Sequence, residues 1–190
     1  LDYKKDYELL ISVRLAAQCT DARVNVVVEK LYEKFPDVDA LAEASVEEIE
    51  KIVHPCGLGK SKAKDINACM KILRDEYGGN VPDDFDKLLA LPGVGRKTAN
   101  VVLSVGFGHQ RIAVDTHVFR VSNRLGIVHE NDVLKTELAL MDNIPEERWS
   151  RTHHSLIFHG RNICDAKKPV ALAGIMGGLN SEIKDATTDV

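Results

Sequence analysis

Lys97 and Asp115 are the two side chains of this sequence whose types and spacing suit joint covalent chemistry, with eighteen residues from one to the other. A lysine amine attacks carbon only after shedding its proton, and an exposed lysine keeps that proton at neutral pH. Desolvation or neighbouring positive charge favours the loss. Arg96 precedes Lys97, and the lysine falls at the expected start of a helix, whose terminus acts in the same sense. A carboxylate such as Asp115 can then stabilise developing positive charge or handle protons in later steps. Asp115 also reads as the N-cap of a helix over 116–124, and one oxygen can cap while the other serves chemistry.

Lys97 lies in the string Leu91-Pro92-Gly93-Val94-Gly95-Arg96-Lys97-Thr98-Ala99. Two glycines around one apolar residue let the backbone bend sharply between helices, with Val94 anchoring the turn in the core. The amides of Gly93 to Gly95 are expected to point outward at the next helix start, where N–H groups and the helix dipole suit a phosphate. Such a turn positions a nucleic-acid backbone without reading its sequence. A plain turn between two helices accounts for the glycines equally. The stretch Gly57-Leu58-Gly59-Lys60-Ser61-Lys62-Ala63 opens another helix similarly, and its lysines are expected either on phosphates or on a solvated helix start.

The elements that must hold these residues read as helix after helix. Apolar stripes predict helices over 7–18, from Asp21 to Phe35, and from Ser61 to the Gly78-Gly79 terminator. Ser45 followed three residues later by Glu48 is a capping box opening a helix through Ile49, Ile52 and Val53. Further helices are expected over 86–91, 96–105 and 116–124, then a polar one from about Asn131 and a long one from Glu146 to Ile163. After Pro169 the chain turns Gly- and Ala-rich, and poor order is expected there. The class is all-α.

Composition narrows the field. With 190 residues, the chain can bury one good core or two small ones. No apolar run approaches the roughly 18 residues of a membrane helix and nothing resembles a signal peptide, so an intracellular protein is expected. Cys19, Cys56, Cys69 and Cys164 are widely spaced with no C-x-x-C pair, which suits reduced, mostly buried thiols better than a metal site. The net charge of −4 argues against binding nucleic acid by bulk attraction. Charge is uneven, however. Lys87, Arg96, Lys97, Arg111, Arg120 and Arg124 face only Asp86 and Asp115 between 86 and 124, whereas 37–50 holds six acids and no base. A basic centre of this kind can bind DNA locally.

Five segments carry a resemblance: Gln18-Cys19-Thr20-Asp21, the Gly57–Ala63 turn, Leu91–Ala99, Val114–Val121 and His159-Gly160-Arg161. In order and spacing they are similar to the endonuclease III family of the helix-hairpin-helix DNA glycosylase/AP lyase superfamily, from Leu1 to about Pro169. The resemblance implies a two-lobed fold. A six-helix barrel domain would cover 1–109 with the hairpin at about 88–106, and a smaller C-terminal helical domain 110–190, with the active-site cleft between them. It further implies base excision repair of double-stranded DNA carrying oxidised or ring-damaged pyrimidines or abasic sites. The damaged nucleotide would be flipped out. Lys97 would attack the sugar C1′ to leave a Schiff base, and elimination would cut the strand on the 3′ side. Asp115 would assist departure of the base and activation of the lysine. By the same match Gln18 would fill the gap left by the flipped base and Leu58 would wedge into the stack. Gly93, Val94, Gly95, Arg96 and Thr98 would bind DNA in the hairpin, and His117 would line the pocket or touch the backbone. Structural readings stand beside these: Leu58 as a core leucine, Gln18 as a surface residue, His153, His154 and His159 in the core or at a domain interface. The implied protein is monomeric and cytoplasmic, on the nucleoid in a bacterium.

The sequence departs from the family at its end. Many members hold a [4Fe-4S] cluster through cysteines spaced C-x6-C-x2-C-x5-C. Here Cys164 keeps the first position, while the others fall at Ala171, Gly174 and Asn180, which cannot replace thiolates. No cluster and no other cofactor is therefore expected. Leu1 corresponds to a point after the family's first helix: either the sequence is trimmed or that helix is missing, and in the second case its apolar partners are expected to be exposed. Two other functions stay open: a monofunctional glycosylase for another base, such as a mismatched adenine or alkylated purine, and a DNA-binding relative without catalysis. Lys97 speaks against the first, and retention of Lys97, Asp115 and Gln18 together against the second.

Overall fold

Local capping signals and apolar stripes set most helix boundaries in the computed structural model. It describes residues 1–164 and, beyond them, only the backbone of Ala171–Leu172 and Met176–Gly177. Two compact units emerge, Leu1–Gly108 and His109–Val190.

The first unit holds α1 (Asp6–Leu15), α2 (Asp21–Lys34), α3 (Val38–Glu43), α4 (Val46–Val53), α5 (Gly59–Tyr77), α6 (Phe85–Leu89) and α7 (Arg96–Gly106). In α2 the stripe Val24, Val27, Val28 and Leu31 is buried, and the helix stops before Pro36, which disfavours helical backbone at its neighbour. The expected capping box is present: Ser45 Oγ accepts from the Glu48 N–H at 3.2 Å, and Glu48 Oε2 accepts from the Ser45 N–H at 3.2 Å. Lys34, the Ser45 N–H and the Ser45 hydroxyl, which also donates to Oε2, hold the Glu48 carboxyl at about 2, well below its usual range. Gly78 ends α5 in the left-handed conformation with φ 58°.

Two expectations need correction. Helix α1 ends at Leu15, so Gln18 lies in the following turn rather than on the helix. The acidic run from Asp37 to Glu50 is the polar face of two short helices, of which α3 was not foreseen. Asp37 caps α3 by accepting from the Ala40 N–H at 2.8 Å, and Val38, Leu41 and Ala42 are buried beneath it. Helix α5, 19 residues long, packs against α1, α3 and α4. Its buried Asn67 donates to the carbonyls of Leu41, Ala42 and Ala44, satisfying the C-terminal end of α3.

The second unit holds α8 (Thr116–Arg124), α9 (Val133–Asn143) and α10 (Trp149–Asn162), the last preceded by a 3-10 turn at Glu146–Arg148. Ile112, Val114, Val118, Val121, Val128, Leu140, Leu156 and Cys164 form its core. Helix α9, expected to be polar, buries Leu140 together with Thr136 and Glu137 and exposes Val133, Leu134 and Leu138. The backbone at Ala171–Leu172 pairs antiparallel with Met176–Gly177. Apart from that ladder the described residues form no strand, and the class is all-α. The expectation of poor order after Pro169 falls mainly outside the described residues, as do Gly174, Asn180 and the side chain of Ala171. Among the described residues no helix is long and apolar enough to cross a membrane.

Candidate active site

The hairpin belongs to the first unit. Asp84 caps α6 by accepting from the Lys87 N–H at 2.9 Å, and the chain returns through Gly93-Val94-Gly95 into α7. Val94 is buried and its N–H donates to the Leu91 carbonyl at 3.2 Å. The expectation that its amide points outward is therefore wrong: the turn consumes it, and Val94 acts as the anchor. Gly95, the N-cap of α7, brings no side chain to that helix start, which keeps the first turn open to an anion. Lys97 is exposed in this first turn, and Thr98 is half-buried behind it. Arg96 holds its guanidinium 4.8 Å from the centroid of the Phe85 ring, joining α7 to α6.

Gly93 could be no other residue without cost. Its φ is +76°, and a Cβ there would lie 2.7 Å from Arg14 Nε and 2.8 Å from the Asp65 Cβ. Arg14 and Asp65 form an ion pair at 2.5 Å on which the hairpin rests.

Gln18 and Leu58 share an uncommon backbone. Among the described residues they are the non-glycine positions with positive φ, 59° and 51°, and such residues mark strain or function. Gln18 is exposed. Leu58 is 59% exposed, which excludes the core-leucine reading and leaves an apolar side chain projecting from a turn.

Lys62 departs most from expectation. Neither solvated nor on a surface, it is fully buried, and Nζ donates to the carbonyls of Leu15 at 2.8 Å, Ala17 at 2.7 Å and Cys56 at 2.8 Å. Three acceptors match the three donors of an ammonium. Burial pulls its pKa below the ordinary lysine range, with Arg14 adding to this and Cys56 and Cys19 opposing it. Burial, then the neighbouring Cys19, pushes the Cys56 thiol up to about 11, so it stays protonated. All four cysteines are free, and all but the half-buried Cys19 are buried, as expected.

In the second unit Asp115 is the N-cap of α8, its Oδ1 accepting from the Val118 N–H at 2.8 Å. The cap does not use Oδ2. His117 is half-buried against Gly160, where a Cβ would meet the His117 side chain at 2.8–3.2 Å. Arg120 donates to the carbonyls of Cys164 and Gly160, and it and Arg124 approach Cys164 Sγ at 3.5 and 3.7 Å. These two arginines thus build the unit's interior, and the basic centre counted along the sequence is smaller than the count. His159 is 1% exposed, and neither ring nitrogen has a hydrogen-bond partner among the described residues. Burial, helped by Arg120, lowers its pKa. His153 is likewise buried, whereas His154 is exposed, its ring edge-on to that of His153.

Residues 11–146 match the family model described as HhH-GPD superfamily base excision DNA repair protein. The chain is 49% identical over 170 residues to endonuclease III of Bacillus subtilis (strain 168), spanning 89% of this chain and 78% of that one. To endonuclease III of Escherichia coli (strain K12) it is 45% identical over 169 residues, 89% of this chain and 80% of the relative. Among solved structures it superposes on a trapped endonuclease III–DNA covalent intermediate with TM-score 0.84 and 49% identity, covering 91% of this chain and 82% of that one. A thermostable thymine-DNA glycosylase follows at TM-score 0.75 and 26% identity, over 88% and 79% of the two chains. A hairpin anchored by Val94, an exposed lysine at its helix start and a capping aspartate eighteen residues on accompany this likeness. The chain belongs to the endonuclease III family, within the HhH-GPD superfamily of base excision DNA repair proteins.

Proposed function

We propose that this chain is a bifunctional DNA glycosylase and AP lyase that removes oxidised or ring-damaged pyrimidines, with Lys97 as nucleophile and Asp115 as its carboxylate. One observation carries the reading: at 49% identity the chain is similar to an endonuclease III trapped as a covalent intermediate with DNA, which requires a nucleophile on the protein. Lys97, exposed in the uncapped first turn of α7, is the candidate.

The unprotonated Lys97 amine adds to C1′ as the glycosidic bond breaks, and the base leaves with the bonding pair and takes up a proton. Asp115 stabilises the positive charge that develops on the sugar. Opening of the sugar ring gives an iminium between Nζ and C1′. Loss of a C2′ proton then expels the 3′ phosphate, cutting the strand on its 3′ side, and water releases Lys97. The turn at Gly93–Gly95 and the start of α7 hold phosphate, Gln18 fills the vacated space and Leu58 wedges the stack. His117, pinned against Gly160, borders the reacting nucleotide or its backbone.

We propose further that the protein works without an iron–sulfur cluster. Cys164 is a single thiol, and Ala171, Gly174 and Asn180 at the spaced positions cannot ligate iron. Cys56 and Cys69 are buried in the core of the first unit.

Borohydride trapping on a thymine-glycol duplex and on an abasic duplex tests the reading. Wild type forms a covalent adduct and cuts the strand, and Lys97→Gln forms none. Absence of an adduct with wild type on both substrates refutes the lysine mechanism.

A further inference from the structure

A fully buried lysine carries a large desolvation cost, and chains place one inside only where its donors are used. Lys62 uses all three. Its acceptors are the carbonyls of Leu15, which ends α1, of Ala17 in the turn beyond it, and of Cys56, which ends the 3-10 turn His54–Cys56; a helix end leaves such groups without intrahelical partners. The Ala17 carbonyl belongs to the peptide that enters Gln18, and the Cys56 carbonyl to the peptide that enters Gly57, next to Leu58. One cation therefore grips the backbone on the near side of both turns. Those turns hold Gln18 and Leu58, the non-glycine positive-φ positions among the described residues, and such backbone persists only where its surroundings over-determine it. The Lys62 N–H also donates to the Leu58 carbonyl at 3.0 Å, so the same residue touches the Leu58 turn twice.

We infer that Lys62 is a positioning residue for extrusion of the damaged base: through the Leu15, Ala17 and Cys56 carbonyls it fixes the turn of Gln18 against the turn of Leu58. The inference rests on the glycosylase reading of those two side chains. Neither of them gains chemistry from Lys62. What they gain is a fixed separation, so that one fills the duplex as the other opens it.

The test separates extrusion from chemistry. Lys62→Met keeps the length and apolar stem and removes the donors. On a thymine-glycol duplex its borohydride-trapping rate is expected to fall about 10- to 100-fold, the cost of misplacing a positioning group by about an ångström. On a single-stranded abasic oligonucleotide, where no base is extruded, trapping is expected to stay near wild type. A 2-aminopurine beside the lesion reports unstacking directly, and its fluorescence rise on binding is expected to shrink in the variant. Equal loss on both DNAs, or loss on neither, overturns the inference. An inactive wild type refutes the lyase reading instead, and the fluorescence change still tests Lys62. If the Met variant does not fold, Lys62→Gln, whose amide keeps two donors, is compared in the same way. Should that variant also fail, exchange of the Lys62 ammonium protons in wild type decides: protection retained with duplex bound supports the role, and rapid exchange refutes it.

Discussion

Gly93→Ala probes the seat of the hairpin, and its cost can be worked from the geometry. At φ +76° an alanine pays about 1–2 kcal/mol for the left-handed region. Its methyl would also stand 2.7 Å from Arg14 Nε and 2.8 Å from the Asp65 Cβ. The arginine end can swing away, but the Asp65 Cβ is fixed to α5, so overpacking adds about 1–3 kcal/mol. Reduced freedom of the unfolded chain returns about 0.4–1 kcal/mol. The net expectation is a loss of about 2–4 kcal/mol, a large share of an ordinary domain's stability. At roughly 4 °C per kcal/mol for a domain of this size, the melting temperature drops by about 8–16 °C. Gly95→Ala is the control, since a Cβ there meets nothing within 4 Å and φ is −98°. Lost unfolded-state entropy and a poorer N-cap oppose one another, and a change within about 0.5 kcal/mol is expected. In an Arg14→Ala background Gly93→Ala is expected to cost less, by the part of the clash the guanidinium causes, while the Asp65 and φ contributions remain. Denaturant unfolding of the four variants measures all of this. Equal costs at Gly93 and Gly95, or a cost at Gly93 below about 1 kcal/mol, would refute the reasoning.

Other perturbations separate roles that coincide in one residue. Asp115→Asn keeps an N-cap of equal rank, so stability is expected to hold while the rate of base release falls about 10²- to 10⁴-fold; an active Asn variant would remove Asp115 from the chemistry. Asp115→Ala is expected to lose the same activity and in addition about 1 kcal/mol of stability, read by denaturant titration. Ser45→Ala is expected to cost about 1 kcal/mol through the lost cap of α4. Glu48, held near 2, contributes stability that is present above its unfolded value and lost as pH falls through the folded one, so Glu48→Gln should flatten that acid limb below about pH 4. His159 follows the same sign in a higher pH window. Its folded pKa is depressed, so the unfolded chain takes up the proton first and stability declines as pH drops below about 6.5. His159→Gln is expected to show a shallower decline between pH 7 and 5, and parallel profiles would refute the assignment.

What the sequence revealed was local, and what it hid depends on tertiary neighbours. Asp115 before Thr116 and Ser45 three residues before Glu48 are caps whose partners lie within one turn, and both bonds are present. Helix α3 escaped because its six residues offer little periodicity and its acids read as a charge run. Yet Asp37 ahead of Val38, Leu41 and Ala42 is the same capping logic on a shorter scale. Arg120 and Arg124 look like displayed charge until Cys164, just past α10, meets them. Lys62 was the most informative miss, and a signal existed. It lies four residues before Ile66 and eight before Met70, on the buried stripe of α5, where a lysine must either break the packing or find carbonyls. Periodicity could place it inside, but two of the carbonyls that accept its hydrogen bonds are 47 and 45 residues away in sequence, at Leu15 and Ala17. The positive φ of Gln18 and Leu58 is hidden for the same reason. Residue type argues against that conformation in both, and the carbonyls that Lys62 holds from behind are tertiary partners that sequence spacing does not reveal.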